Sequence, residues 1–276
     1  MIRYGHLIQA YQTSIWAMHE PVIESFGRGL AMAMQSSLQM TERNDGHWSV
    51  PVSQADGVAV VGIRGAIGKH LSEMELTCVG GCDLARVSDV LLSLDADHGV
   101  RSVVLDIRSP GGIVTGVPEF SKLVAGMSKP VYAYTDDMMA SAAYWIGAST
   151  QGIFSSESAQ VGSIGVYMAL ADFTEAYAKE GVKIHLIRAG KYKGMGLPGT
   201  LDAEAIELLQ KKVDKTYDAF TSWVLSNRPG ISFDDMQGQV FDADDALAKG
   251  LIDGIFNRVE DLVSQIAEAH NMETRR

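Results

Sequence analysis

The sequence lacks the features of a membrane or secreted protein. Only two of its 276 residues are cysteine, and no apolar run reaches the roughly 18 residues that a membrane span requires. The amino-terminal stretch MIRYGHLIQAYQTSIWAMHEP has a single arginine and no apolar block typical of a secretory signal. We therefore expect a cytoplasmic protein with no signal peptide, no transmembrane segment and no membrane partner.

Basic residues are also scarce. The chain has 23 lysine and arginine residues against 34 aspartate and glutamate residues, which gives a formal net charge of −11 and a pI of about 5.0. An acidic chain is poorly suited to nucleic acid, whose phosphates attract basic residues. Cys78 and Cys82 have neither a second cysteine pair nor a histidine cluster nearby, so we expect no metal and no cofactor.

Two regions differ in their hydrophobic pattern. In residues 1–50, apolar side chains recur at a helical spacing of three and four. The clearest examples are Ile23, Phe26, Leu30 and Met34. The polar, turn-rich stretch TERNDGHWSVPVSQADG follows. This pattern predicts an N-terminal helical arm and linker over residues 1–50, packed on its own core or on a neighbouring subunit, and one larger domain over residues 51–276.

Beyond residue 57, predicted strands and helices alternate. Runs of β-branched and apolar residues predict strands over 57–67, 100–107, 129–136 and 183–190. Apolar residues at helical spacing predict helices over 84–97 and 202–230. Repeated strand–helix units imply an α/β fold with a largely parallel sheet. In such folds, chemistry gathers where strands end and helices begin.

The first junction of this kind is SPGG, Ser109 to Gly112, which follows the buried strand VRSVVLDI. Pro110 fixes its own backbone, and two glycines free the next amides to point where side chains would otherwise block. Exposed amides before a helix can hold an anion or an oxyanion. An ordinary strand-to-helix turn has the same composition.

The second junction holds a lone serine, Ser141, within DDMMASAAYWIGAS. Its small neighbours, Ala140, Ala142 and Ala143, would let a substrate backbone come close. A serine among alanines is also a common packing residue. If Ser141 is a nucleophile, it requires a base elsewhere in the chain.

The usual base is histidine, but no histidine of this chain lies at a glycine-rich junction with a plausible aspartate. The seven are His6, His19, His47, His70, His98, His185 and His270. A lysine can replace histidine when burial lowers its pKa. The candidates are Lys191 and Lys193 in AGKYKGMG, which are otherwise two surface lysines. The spacing does not say which of the two points inward.

Four segments together resemble one family of enzymes. VVLDIRSPGG, MMASAAYWIGAS, QVGSIGV and IRAGKYKG, in this order and spacing, are similar to the signal peptide peptidase A (protease IV) family of Ser–Lys serine peptidases. The resemblance covers roughly residues 57–258. It implies the ClpP/crotonase fold and hydrolysis of peptide bonds, with polypeptide substrates.

The resemblance also implies roles for individual residues. Ser141 corresponds to the nucleophile, and the G-x-x-K context of Gly190 makes Lys193 the base in place of Lys191. Ser163, in the G-S-[IL]-G motif, corresponds to the serine that hydrogen-bonds the lysine amine. The backbone amides of Gly111 or Gly112 and of Ala142 correspond to the oxyanion hole. The side chains of Met139 and Tyr144 are further candidates, for an apolar substrate pocket.

Within this family, the chain is most similar to phage and prophage capsid-assembly proteases. We expect a single catalytic unit without a membrane anchor, and the opening RYGHLIQAYQTSIWAMHEP resembles the N-terminal arm of prophage members. This similarity implies scaffold or capsid proteins, or the chain itself, as substrates, and a homo-oligomer. One departure is expected: several phage members carry a C-terminal scaffold region, and here we expect any scaffold to be a separate protein or an alternative product of the same reading frame. The alternatives are a soluble cytosolic protease similar to signal peptide peptidases, a crotonase-type acyl-CoA enzyme using an acid such as Asp136 or Asp137, and a non-catalytic assembly factor.

Overall fold

The computed structural model describes residues 14–19, 49–78, 80–170, 172–197 and 199–273. Its strands are β1 (Trp16–Met18), β2 (Val52–Ala55), β3 (Val58–Arg64), β4 (Ala66–Gly68), β5 (Gly81–Asp83), β6 (Ser102–Arg108), β7 (Gly111–Ile113), β8 (Val131–Thr135), β9 (Met138–Ala140), β10 (Gly152–Ser155), β11 (Gln160–Gly162), β12 (Val240–Asp242) and β13 (Gly254–Ile255). Its helices are α1 (Glu73–Cys78), α2 (Leu84–Ala96), α3 (Val117–Ala125), α4 (Ala142–Gly147), α5 (Thr174–Lys179), α6 (Ala203–Asn227), α7 (Ala243–Ala248) and α8 (Val259–Glu273). A 3₁₀ helix covers Phe233–Met236.

The strands form three sheets. The largest has six strands in the order β13-β10-β8-β6-β3-β2, parallel except for the edge strand β2. A four-stranded sheet has the order β1-β7-β4-β5, and a three-stranded sheet has the order β12-β11-β9. The two smaller sheets contain the glycine turn and the strand that leads to Ser141, so together they position the candidate site.

The central strand of the large sheet, β6, is buried, as its apolar sequence predicts. In β6, Ser102 to Ile107 are all buried, as expected for a central parallel strand with covered faces. Asp106 is the one acid in this strand, and its carboxylate forms an ion pair with Arg64 of the neighbouring strand. Burial raises the pKa of the Asp106 carboxyl, and the adjacent Arg64 opposes that shift. The buried charge is therefore paired, as a buried carboxylate must be.

Two aspartates begin the helices that cover the sheets. The Asp83 side chain accepts a hydrogen bond from Ala85 N at 2.9 Å at the start of α2. The Asp202 side chain accepts one from Ala205 N at 2.7 Å at the start of the long helix α6. These caps satisfy amide groups that have no partner inside the helix. Among the described residues, no helix combines the length and the apolar character needed to cross a membrane.

Most of the predicted elements are present. The α/β class, the parallel sheet, the strands over 100–107 and 129–136, and the long helix are confirmed, with ends shifted by a few residues. The predicted helical spacing of the arm, at Ile23 to Met34, lies outside the described residues. Within residues 1–50, however, Trp16–Met18 forms strand β1, which joins the sheet of the main domain.

The predicted strand over 183–190 is wrong. These residues have no strand pairing within the described chain, and all of them are exposed. The alternation of Ile184 and Leu186 resembles a half-buried strand, yet these side chains are 41% and 38% exposed, and Ile187 is 97% exposed. A strand is stabilised by a neighbour that pairs with its backbone, and a single described chain offers none here.

Candidate active site

Ser141 lies at a sharp turn between β9 and α4. Its backbone has φ 57° and ψ −118°, in a region that non-glycine residues rarely adopt. The turn is fixed on both sides, because Ser141 N donates to Gly162 O at 2.7 Å and Trp145 N donates to Ser141 O at 2.9 Å. Strained conformations of this kind cost about 1–3 kcal/mol and cluster at functional sites.

The Ser141 hydroxyl does not cap the helix that it precedes. Its Oγ instead donates to Gly165 O at 3.3 Å, a long hydrogen bond. The side chain is buried, although only small residues flank it in the sequence. A hydroxyl that serves neither as a helix cap nor in a short hydrogen bond is available for other chemistry.

Helix α4, which follows Ser141, is held by contacts along its length. All six residues of α4 are buried. The Tyr144 hydroxyl donates to Leu251 O at 2.9 Å, and burial raises the pKa of this hydroxyl. The Trp145 ring stacks on Phe220 of α6 with centroids 4.4 Å apart. These contacts hold the start of α4, and with it Ser141, in one position.

Met139 and Tyr144 are placed differently from the sequence prediction of a substrate pocket. Both side chains are fully buried and belong to the main hydrophobic core. The Met139 sulfur lies 2.5 Å from the position that a Cβ on Gly147 would take. Sequence proximity to Ser141 suggested a pocket for these residues, but strand alternation and the first turn of α4 direct both into the core.

The glycine turn lies alongside β9. Ser109 N donates to Met138 O at 2.8 Å and Ala140 N donates to Ser109 O at 3.1 Å. The Ser109 hydroxyl donates to Gly65 O at 2.6 Å and accepts a hydrogen bond from Gly111 N at 3.2 Å. The predicted oxyanion residues therefore lie next to the strand that ends at the candidate nucleophile.

Gly111 makes the closest approach to the start of α4. Its φ is 100°, and a Cβ at this position would lie 2.1 Å from Ala17 O, 3.0 Å from Ala140 O and 3.0 Å from Ala142 N. All three atoms belong to the backbone, so they cannot move aside as a flexible side chain could. The Ala142 amide and the Gly111 backbone consequently face the same small space.

Replacing Gly111 by alanine should destabilise the fold. The added methyl group meets backbone atoms at 2.1 Å, and a non-glycine residue at positive φ adds a further cost of about 1 kcal/mol. We expect a total loss of about 2–4 kcal/mol in the free energy of unfolding, measured by urea denaturation.

The matched control for this variant is Gly181→Ala. Gly181 has φ 73° but no atom within 4 Å of the added methyl group. It therefore reports the backbone cost alone. Equal losses of unfolding free energy in the two variants would contradict the close approach at Gly111.

Ser163 lies beside Ser141. It follows β11 directly, is buried, and has φ 52°. Ser163 N donates to Gln239 O at 2.6 Å. The segment around it contacts the candidate nucleophile: Gly162 O, just before Ser163, accepts from Ser141 N, and Gly165 O, two residues after it, accepts from Ser141 Oγ. The structure thus brings together three of the four predicted segments.

The fourth predicted segment is not brought to the site. Lys193 is exposed, in a turn where its backbone carbonyl accepts a hydrogen bond from Arg188 Nη1 at 3.1 Å. Within the described chain, Lys193 Nζ makes no hydrogen bond to Ser141 or Ser163. The burial that a lysine base requires is therefore absent from the single chain.

Lys191 differs from Lys193 in its partner. Its Nζ forms an ion pair with Glu204 of α6. The hydrogen bond that Lys191 Nζ donates to the Glu204 carboxylate raises the pKa of Lys191, which keeps this amine protonated and makes it a poor base. The choice of Lys193 that the resemblance implied stays a prediction.

Other polar clusters lie away from the candidate nucleophile. A pocket of about 390 Å³ is lined by Asp136, Ser156, Glu157, Ser158 and Asn257. None of these residues belongs to the predicted Ser–Lys site, although Asp136 is one of the two acids considered for an acyl-CoA enzyme. In the part of the chain that the structure describes, no group of three histidine, cysteine, aspartate or glutamate residues could hold a metal ion. The one described cysteine side chain, Cys82, is buried, and burial raises its pKa to about 12.

Known proteins share this sequence pattern. The model of peptidase family S49 matches residues 125–273, more than half of the chain. "Putative protease MJ0651" of Methanocaldococcus jannaschii is 32% identical over 193 residues, which are 67% of this chain and 62% of that protein. "Capsid assembly protease C" of Escherichia phage lambda is 29% identical over 215 residues, which are 74% of this chain and 48% of that protein.

The chain spans about half to three fifths of the length of these two relatives. Among solved structures, a ClpP1 mutant from Listeria monocytogenes has a TM-score of 0.48 and 15% sequence identity to this chain, over 72% of this chain and 91% of that chain. That likeness concerns the fold alone.

Proposed function

This chain belongs to peptidase family S49, and we propose that it is a serine endopeptidase with Ser141 as nucleophile and Lys193 as general base. The resemblance predicted from the four motifs is confirmed by the family match and by the similarity to a phage capsid assembly protease. The observation that carries the proposal is the convergence at one strained serine of the glycine turn, the start of α4 and the segment after Ser163.

In the proposed reaction, the Ser141 hydroxyl attacks the carbonyl carbon of a peptide bond and gives its proton to the amine of Lys193. The carbonyl oxygen becomes an oxyanion, held by the amides of Gly111 or Gly112 and of Ala142. One such donor contributes about 3–4 kcal/mol. Lys193 then gives the proton to the leaving amine, and water hydrolyses the acyl-enzyme with the same base. Ser163 orients the Lys193 amine, because the serine oxygen accepts a hydrogen bond from it.

The dyad requires Lys193 to move from its exposed position to a buried one. Every described residue from 172 to 193 is exposed. This stretch includes large apolar side chains, namely those of Phe173, Val182, Ile184, Leu186 and Ile187. Contiguous exposed apolar surface marks an interaction site. We propose that the chain forms a homo-oligomer in which a neighbouring copy covers this stretch and receives Lys193 beside its own Ser141.

The proposed biological role is cleavage of scaffold or capsid proteins during assembly of a phage or prophage head, in the host cytoplasm or inside the procapsid. Its support is the similarity to the capsid assembly protease of phage lambda over 74% of this chain. The alternative within the same family is a protease of wider specificity that degrades unstructured polypeptides.

A fluorophosphonate reagent tests the proposed nucleophile. We expect it to add one adduct to the wild-type chain, mapped to Ser141 by peptide mass spectrometry, and none to Ser141→Ala. The chain is then co-expressed with the scaffold and capsid proteins of its phage, and the products are identified by intact mass. Labelling without cleavage of these proteins, but with cleavage of casein, would favour the alternative substrate. No labelling under conditions where the chain is folded would exclude the proposed nucleophile.

A further inference from the structure

A segment of the chain itself lies between the backbone segments that surround Ser141. Strand β1 pairs antiparallel with β7, with Ala17 opposite Gly112. On its other side, Trp16 N donates to Tyr167 O and Tyr167 N donates to Trp16 O, both at 2.9 Å. We call the space between β7 and Tyr167 the nucleophile groove. Strand β1 occupies this groove and pairs with the backbone on both of its sides, as a central strand of a sheet does.

The pairing occupies an amide that the proposed reaction needs. Val114 N donates to Ile15 O at 3.2 Å at one end of the ladder, and His19 pairs with the glycine turn at the other. Hydrogen-bonded pairs alternate along an antiparallel ladder. The pair midway between these ends, Ala17 and Gly112, is therefore hydrogen-bonded, with the Gly112 amide donated to the carbonyl of Ala17.

The Ala17 carbonyl also lies close to the start of α4. Its oxygen and the Ala142 amide nitrogen are 2.1 and 3.0 Å from one point, the place that a Cβ on Gly111 would take. A backbone carbonyl of the chain thus lies beside the two kinds of amide proposed to hold the oxyanion. This is the placement that a substrate carbonyl needs.

The side chains of β1 show which sequence the groove accepts. Trp16 and Met18 are 5% and 2% exposed and form a small cluster with Ile113 and Tyr167. Ala17 points the other way, into the main core, and is fully buried. An extended peptide that adds a strand gains affinity from backbone hydrogen bonds and specificity from alternate side-chain pockets. Here the pockets fit a small residue between two large apolar ones.

We infer that residues 14–19 are an intramolecular competitor for the nucleophile groove. Extended polypeptides with a small residue between two large apolar residues would bind there only after β1 leaves. This inference rests on the proposed function, because it takes the groove to be where the peptidase holds its substrate. It adds that the chain limits its own activity, and it names the sequence type that the groove selects.

The test measures binding of a fluorescent peptide with the sequence of residues 14–19, SIWAMH, to the full-length Ser141→Ala chain. Ala17→Pro is added to remove the amide of Ala17 from the ladder and thereby weaken the seating of β1. In the parent chain, the peptide binds only the fraction of molecules in which β1 has left the groove, so its apparent affinity is reduced by that fraction. Ala17→Pro increases this fraction, and we therefore expect the Kd of the peptide to fall by about tenfold or more. Ala17→Gly, which keeps the amide, is the matched control.

A second variant covers the case in which Ala17→Pro does not fold. Trp16→Ala removes the largest side chain of β1 and leaves every backbone hydrogen bond possible, and it should also lower the Kd. A folded Trp16→Ala chain that binds the peptide no more tightly than its parent would overturn the inference. The proposed function is read separately, from fluorophosphonate labelling of the wild-type chain, so either result can fail alone.

Discussion

Ser141→Ala should abolish peptide-bond cleavage while leaving the fold intact. Loss of the nucleophile in a serine peptidase lowers kcat by about 10⁶-fold, because the remaining groups no longer act as a unit. The hydroxyl contributes little to stability here, since the hydrogen bond that it donates to Gly165 O is 3.3 Å long. The measurement is the rate of cleavage of a co-expressed capsid or scaffold protein, or of casein, together with the urea midpoint of unfolding.

The matched control is Ser121→Ala. Ser121 is also a fully buried serine, and its hydroxyl lies 3.5 Å from Trp145 O, so the variant removes a comparable weak hydrogen bond. It lies on α3 and in none of the segments proposed to act on the substrate. We expect its cleavage rate to match that of the wild-type chain. A Ser141→Ala chain that retained a tenth of the wild-type cleavage rate would exclude Ser141 as the nucleophile.

The sequence predicted well the buried strand and the strand-to-helix junctions of the candidate site. The run VRSVVLDI predicted a buried strand because five of its eight residues are large and apolar, and the structure buries Ser102 to Ile107 of this run in strand β6. SPGG and the alanines around Ser141 predicted two strand-to-helix junctions, the places where chemistry gathers in α/β folds. The structure brings these junctions within hydrogen-bonding distance of each other.

Two features could not be predicted from periodicity. KIHLIR has the alternation of a strand, but a strand forms only where a partner strand exists, and that partner is not in the described part of one chain. Trp16–Met18 is three residues long and precedes a stretch with helical spacing, so local pattern gave no sign of a strand. Its pairing with β7 depends on residues nearly 100 positions away in the chain.

Lys193→Ala should lower kcat by about 10⁴-fold, the upper end of what a positioned general base contributes. Lys191→Ala is the matched control, because it removes the same kind of side chain two residues away. Lys191 is paired with Glu204 at the surface, and exposed ion pairs contribute little, so we expect its rate to stay near that of the wild-type chain. If Lys191→Ala were inactive and Lys193→Ala active, Lys191 would be the base.

The exposed position of Lys193 raises the question of which copy of the chain supplies the lysine to a given Ser141. Because every residue from 172 to 193 is exposed in the single chain, we expect Lys193 of one copy to serve Ser141 of another. Ser141→Ala and Lys193→Ala chains, each inactive alone, should then recover activity when unfolded together and refolded as mixed oligomers. A mixture that stays inactive, although mass spectrometry shows mixed oligomers, would mean that the segment closes over the Ser141 of its own chain. The dyad itself would survive that outcome, because the two single variants test it independently of which copy donates the lysine.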